Sequence, residues 1–363
     1  MDKKRNARPS WLKVIIIVSL VSVGAYFVAR GIVNHYSSHL GTARPTPAYA
    51  GQSVEPLGDG MVYYDGATLH ALNDRGRPVW SYAAGMNAGF SVGSGGVATW
   101  SGNMLSLLTE GRGETLFSGE VDGPVINARL GTMYAAAQVG EEHNSTMLVM
   151  EVSGRPVEKI ELKNTTVLDF GFFNNDTLLW VMGLDTEGTV PVCSISTYRP
   201  GRMLLGTITD TRQVLYEVVF QSNIRAVGTT HIRDYQYGNK EIKENAMLVY
   251  GWYLMSIDDR SSNPLMAFVP TGQSDGASGF NDLRMIRGQQ DQWVRLPLPA
   301  IRVMAFGDAV YAFTNQAVMV IRMGEVTPAI YTLPIYVDGV LGITGNKTAI
   351  VTSGGGVQLI PLP

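Results

Sequence analysis

The stretch that decides the fold is His70-Ala-Leu-Asn-Asp-Arg-Gly-Arg-Pro-Val-Trp-Ser-Tyr82. Its apolar start, Ala71-Leu72, runs into Asn73-Asp74-Arg75-Gly76, and apolar residues resume at Val79 and Trp80. Asp and Gly supply the backbone angles of a tight turn, so the segment reads as two strands joined by a hairpin. The same pattern stands just before it. Gly60–Leu72, GMVYYDGATLHAL, lies over Gly96–Leu108, GVATWSGNMLSLL, with Tyr64 on Trp100 and Gly66 on Gly102. Each copy is a strand, a short glycine turn and a second strand with alternating apolar positions.

The unit recurs along the chain. GTMYAAAQVG begins at Gly131, Gly-Arg-Pro-Val stands at both 76–79 and 154–157, and Gly307–Ile321 lies over Gly345–Ile360. Units start near residues 54, 89, 125, 166, 224, 301 and 339. Units of roughly 40–50 residues holding three or four strands, with no sustained helical period after the amino-terminal segment, mean an all-β propeller. The expected count is seven blades over 54–363, with spacing that also accommodates six or eight. The last unit is short, so residues near 45–53 are expected to supply its outer strand.

Composition agrees with this architecture. Gly numbers 41, charged residues make up 16% and hydrophobic residues 45% of 363. Glycine turns and few charges suit a sheet protein better than helices, whose exposed faces need Lys and Glu. A formal net charge of −3 gives no footprint for nucleic acid.

The charge is unevenly placed. Of 28 basic and 31 acidic residues, seven basic and only Asp2 fall within residues 1–50, leaving the body acidic. Val14–Ala29 is uncharged, Arg30 snorkels, and residues 11–33 are long enough to span a bilayer. Basic residues before the span keep the 1–10 tail in the cytoplasm and export the rest. Ala48-Tyr49-Ala50 offers a cleavage sequence, but too far from the apolar run for a signal peptide. The expectation is an uncleaved single-pass signal anchor in the cell membrane, a linker over 34–53 and an extracytoplasmic domain. The single cysteine, Cys193 in PVCSIS, reads as a buried hydrophobe.

Chemistry is sparse. His35, His39, His70, His143 and His231 show no zinc spacing, and no nucleophile elbow occurs. The acidic pairs Glu141-Glu142 and Asp258-Asp259 read as solvated turns, and the strand aromatics, Trp180 and Trp252 among them, as core. Asn144, Asn164, Asn175 and Asn346 head Asn-x-Ser/Thr triplets in polar turns. Two stretches exceed a minimal blade: TTHIRDYQYGNKEIKENA from Thr229 and TGQSDGASGFND over 271–282. Long loops in compact folds carry function, which makes Tyr235, Tyr237, Lys240, Lys243, Asp275, Phe280 and Asn281 the candidate interaction residues.

ALNDRGRPVW resembles the PQQ-like propeller repeat, named for pyrroloquinoline quinone, with Gly76 at its turn and Trp80 between blades. The layout of tail, span and propeller is similar to uncharacterised membrane-anchored propellers of Gram-positive bacteria. In the quinoprotein dehydrogenases the resemblance implies a quinone, a calcium ion held by acidic and amide side chains, and a Trp in most blades. Here Glu158 stands at that position in the third unit and Thr115 or Phe117 in the second. No adjacent-cysteine pair occurs. Other members are non-enzymatic and bind protein segments in envelope assembly. The expectation is therefore a non-catalytic interaction or scaffold module with no cofactor and an envelope protein as partner. The alternatives are a PQQ-dependent dehydrogenase and a carbohydrate- or ligand-binding surface sensor.

Overall fold

A computed structural model describes residues 40–185, 190–237, 239–258, 260–261, 263–273 and 279–363. The expected span over 11–33, the basic tail and Asp275 lie outside the described residues. Among the described residues no helix is long and apolar enough to cross a membrane.

Each repeat folds as an antiparallel four-stranded meander, and eight such sheets stand around the ring. Blades 1 to 7 occupy 54–83, 89–120, 125–163, 165–210, 215–248, 252–300 and 302–332 in chain order. Blade 8 takes three strands from 339–361, and its fourth is Arg44–Tyr49, paired with Gly356–Pro361 in the register Arg44↔Leu359, Pro45↔Gln358 and Tyr49↔Gly356. Part of the expected 34–53 linker is thus a blade strand. Its prolines are tolerated because this strand is an edge.

Burial follows position within a blade. Second strands are covered by neighbouring blades on both faces, so Ile224–Gly228 and Ala309–Phe313 are buried throughout. Outer strands alternate, as Thr115–Glu120 does. The core is accordingly a chain of interblade clusters, such as Phe173, Trp180, Met182, Ile195, Leu215 and Tyr235 between blades 4 and 5.

The count is eight, and the expected seven was too low. The start assigned at 224 falls inside blade 5, and the span 224–301 holds most of that blade and all of blade 6. The polar insert from Thr229 is mainly His231–Tyr235 and Glu241–Leu248, the third and outer strands of blade 5. An outer strand faces water on one side and an edge on the other, so its polarity imitated a loop. The 271–282 stretch does separate two strands of one blade, Leu265–Pro270 and Phe280–Arg287.

Trp80 fastens blade 1 to blade 2. Its Nε1–H donates to the Glu110 carbonyl at 2.8 Å, and its ring lies on Gly113, where a Cβ would stand 2.6 Å from the indole. A one-residue bulge precedes Trp80, because Ala71 pairs with Trp80 and Leu72 with Pro78. The same bulge precedes Phe117, Glu158 and Gly206 in blades 2 to 4, which makes those positions equivalent. Phe117 covers Gly154 of blade 3, and Glu158 Oε2 accepts from Gly201 N of blade 4 at 3.0 Å. Later junctions reach the corresponding turns with other residues. Arg225 Nη1 donates to Gly288 O at 2.8 Å, Gln292 Nε2 to Glu325 O at 2.5 Å, and Arg44 Nη1 to Asp74 O at 2.7 Å. Gly66 and Gly102 occupy equivalent turns between second and third strands, at 65–67 and 102–103.

Trp80→Phe keeps the ring on Gly113 and loses one hydrogen bond, an expected cost of about 1 kcal/mol in urea unfolding followed by circular dichroism. Gly113→Ala meets both a φ of +65° and the indole. It should cost more, about 2–3 kcal/mol. Equal stability of both variants with wild type would refute the lock.

Candidate functional site

The first strand of every blade faces the central channel with an unpaired backbone edge. Neighbouring blades cover several of these groups. Ser91 Oγ donates to Ala128 O at 2.5 Å, Val92 N to Glu55 Oε2 at 2.9 Å and Ala305 N to Ser256 Oγ at 2.9 Å. The wall is therefore stitched from blade to blade.

Strand direction alternates, so the turns joining first to second and third to fourth strands gather on one face of the ring. On that face a cavity of about 560 Å³ opens between blades 2 and 6. Arg129, Asp169, Phe172, Phe173, Trp180 and Phe220 contribute to its lining. Phe173 and Phe220 stack at 3.8 Å with an interplanar angle of 15°, and Trp180 leans on Phe220 at 5.9 Å. Arg129 Nη2 lies 3.4 Å from Asp169 Oδ1; both are partly exposed, so the pair itself stabilises the fold little.

The lip is held by Asp176. Its Oδ2 accepts from Ser94 Oγ of blade 2 at 2.6 Å and from Thr132 N of blade 3 at 2.7 Å, tying three blades together. Asn174, Asn175 and Asp176 all have left-handed backbones, with φ of 52°, 53° and 59°. Asn and Asp tolerate that region better than other non-glycine residues.

Acidic groups predominate in the funnel. Glu217 lines the cavity with Asp169, while Glu55 sits behind Arg129 on the channel wall. Burial pushes the Glu55 carboxyl up, against the opposing pull of the Val92 N–H and the Arg129 charge. Among the described residues no three His, Cys, Asp or Glu side chains converge on a point that could hold a metal. The funnel carboxylates come from blades 1, 4 and 5, with Arg129 beside Asp169. A quinone–calcium arrangement does not fit this donor set. Cys193 is buried, burial raises its thiol pKa, and its Sγ accepts from Leu215 N at 3.4 Å.

The residues expected from the two long stretches separate into surface and core. Tyr235 and Phe280 are buried in interblade clusters and are not available for contact, because each belongs to a strand and not to a loop. Asn281 Nδ2 donates to Leu296 O at 3.1 Å within its blade. Lys240 and Lys243 are exposed on blade 5. Among the described ones Tyr237 approaches the funnel: its ring stacks on Phe173 at 6.1 Å and its hydroxyl donates to Gln221 O at 2.8 Å. Arg129, Asp169 and Phe220 were missed, since each looks ordinary on its own strand. The run Phe172-Phe173-Asn174-Asn175-Asp176, aromatics leading into a polar turn, was the one local signal. Trp293 is exposed on the outer strand of blade 6, with Trp252 at 5.0 Å and Arg284 over it, away from the funnel.

No family model matches the chain, and no curated protein matches it. Solved structures do. The carboxyl-terminal WD40 domain of Sif2 superposes with a TM-score of 0.59 at 11% identity, over 90% of this chain and 99% of that one. Sqt1 of Saccharomyces cerevisiae gives 0.58 at 10%, over 89% and 100%. BamB from Moraxella catarrhalis gives 0.52 at 11%, over 89% and 97%. At such identities the likeness establishes the β-propeller fold.

A raised carboxyl pKa means that the folded state binds more protons than the unfolded one as pH rises past the usual glutamate value. Glu55 therefore subtracts stability at neutral pH and ceases to do so in acid. Glu55→Gln should melt at or above the wild-type temperature at neutral pH, the difference vanishing in acid. A lower melting temperature at neutral pH would contradict the assignment.

Proposed function

We propose that this chain is a non-catalytic interaction module that holds a segment of an envelope protein in its funnel. Residues 11–33 anchor it in the cell membrane, with the amino terminus cytoplasmic and the propeller outside. The observation that carries the reading is the cavity between blades 2 and 6, with stacked aromatic walls and a mixed-charge floor. Aromatic faces bind side chains of a peptide without demanding one sequence, and the charges fix its direction. The resemblance of ALNDRGRPVW to a repeat whose non-enzymatic members bind protein segments points the same way. Tyr237 and Lys240, on the turn beside Phe173, extend the contact surface from the cavity to the rim.

A photo-crosslinking amino acid in place of Asn174, at the lip, should capture a discrete protein in intact cells. The same group in place of Leu116, exposed on the outer strand of blade 2, should not. Capture should fall at least tenfold on Phe220→Ala with the fold intact by circular dichroism, since an aromatic anchor of this kind carries about 2 kcal/mol or more. Equal capture from both positions, or capture indifferent to Phe220, would refute the funnel as the binding site.

A further inference from the structure

The loops between blades and the turns joining second to third strands share the face opposite the funnel. That face is rich in exposed apolar side chains and poor in cations, and its described connections carry the carboxylates Asp65, Asp122, Glu142 and Asp338. Met86, Tyr250 and Tyr336, in three of the interblade loops, are 76%, 74% and 55% exposed, and Tyr49 at the end of the closing strand is 68% exposed. Val214 adds a fourth loop. Among the described residues, the cations on this side are Arg212 in a loop and Lys163 and Arg302 at strand ends beside loops. The funnel side has turns bearing Arg75, Arg77, Arg112, Arg155, Arg202 and Lys240. These six cations stand in five connections of the funnel face, whereas the described connections of the other face hold Arg212 alone among Arg and Lys.

The described chain begins close to this cation-poor face. Leu40 N donates to Thr332 O at 3.4 Å, and Thr332 immediately precedes the loop that carries Tyr336. Leu40 and Ala43 pack against the blade 7–8 cluster with Tyr331 and Leu362. Only residues 34–39 separate that docked point from the apolar segment ending at residue 33. Six residues reach about 20 Å at most.

We propose that the interblade-loop face rests on the bilayer, with Tyr49, Met86, Tyr250 and Tyr336 in the headgroup zone. This rests on the membrane-anchored reading above. A propeller held within so short a tether must turn some surface to the lipid. Turning the funnel-side connections to the lipid would strip water from more charges than turning the loop face does. Tyrosine has an apolar ring and a wet hydroxyl, the combination that suits the membrane boundary. Because the body is acidic and this face has few cations, the contact is apolar and does not depend on anionic lipid. The funnel then opens away from the membrane, towards a partner.

The test uses the full chain in phosphatidylcholine vesicles on a Cys193→Ala background. Nitroxide labels are placed at Met86→Cys or Tyr336→Cys on one face and at Met133→Cys or Val326→Cys on the other, Met133 and Val326 being exposed. Collisional relaxation by oxygen, which concentrates in lipid, is compared with that by a water-soluble nickel chelate. The expected result is an oxygen-to-nickel ratio several-fold higher at 86 and 336 than at 133 and 326, unchanged when phosphatidylglycerol is added. Equal ratios at all four sites would overturn the proposal, as would the reverse order. Shielding of 86 and 336 from both reagents would also overturn it, by showing protein in place of lipid. Carbonate extraction of the same vesicles reads the anchor separately: release into the supernatant removes the anchor, and the four ratios still decide the face.

Discussion

The antiparallel pairing of Arg44–Tyr49 with Gly356–Pro361 is the contact on which the rest of the ring depends. Second strands such as Ala309–Phe313 are buried on both sides, so no blade covers its own apolar surface. An open ring would leave Met61, Tyr63, Ile350 and Leu359 facing water, where they now meet Ala48 of the closing strand. Closure joins segments over three hundred residues apart and is entropically demanding. The strand chosen for it is unpromising, since Pro45 and Pro47 have no N–H to donate. Thr46 compensates: its hydroxyl donates to Val357 O at 2.8 Å where the register between Pro45 and Tyr49 is irregular. Arg44 then fixes the closing strand to the next blade through Asp74 O, so the seam is held in two directions.

That second direction is the general one. Most described junctions fasten an outer region of one blade to the turn between third and fourth strands of the next, and the chemistry changes while the target persists. Indole, phenyl ring, carboxylate, guanidinium and carboxamide all serve. Blade 4 is the exception, because Gly206 stands at the Trp80 position and has no side chain to reach forward. Asn239 of blade 5 reaches back against Gly206 instead. Its turn also brings Tyr237 onto Phe173. At the blade 4–5 junction the neighbouring turn thus leans inward and helps to build a cavity wall.

The fold was legible where a blade repeated its hairpin closely, as at 60–82 and 96–108, and the propeller class follows from those units alone. The blade count was not legible, because blade 5 carries its charge in the outer strands. Arg225 and Asp234 are buried there as a bidentate pair at 2.7 and 2.8 Å, so even inner strands lose their apolar signature. The funnel was harder still. Arg129, Asp169 and Phe220 sit on three different blades, and only ring geometry brings them to one cavity. Tyr235 shows the opposite error: a polar neighbourhood suggested a loop, while the end of strand His231–Tyr235 places its ring in the cluster between blades 4 and 5.

Counting blades correctly also decides which loops share a face. In a four-stranded meander the chain visits the two faces alternately, so a hairpin read as one loop hides a turn on the opposite face. With 229–245 taken as one excursion, Tyr235 and Lys243 belong to a single loop. With eight blades the stretch holds the short turn at Thr229-Thr230, two strands, and between them the connection that carries Tyr237 and Lys240, on the funnel side with Arg75 and Arg155. Tyr250 then falls to the other side with Met86 and Tyr336. The division into a cavity-bearing face with cationic turns and a cation-poor tyrosine face is a property of strand order combined with sequence. Neither the composition nor the individual motifs contain it.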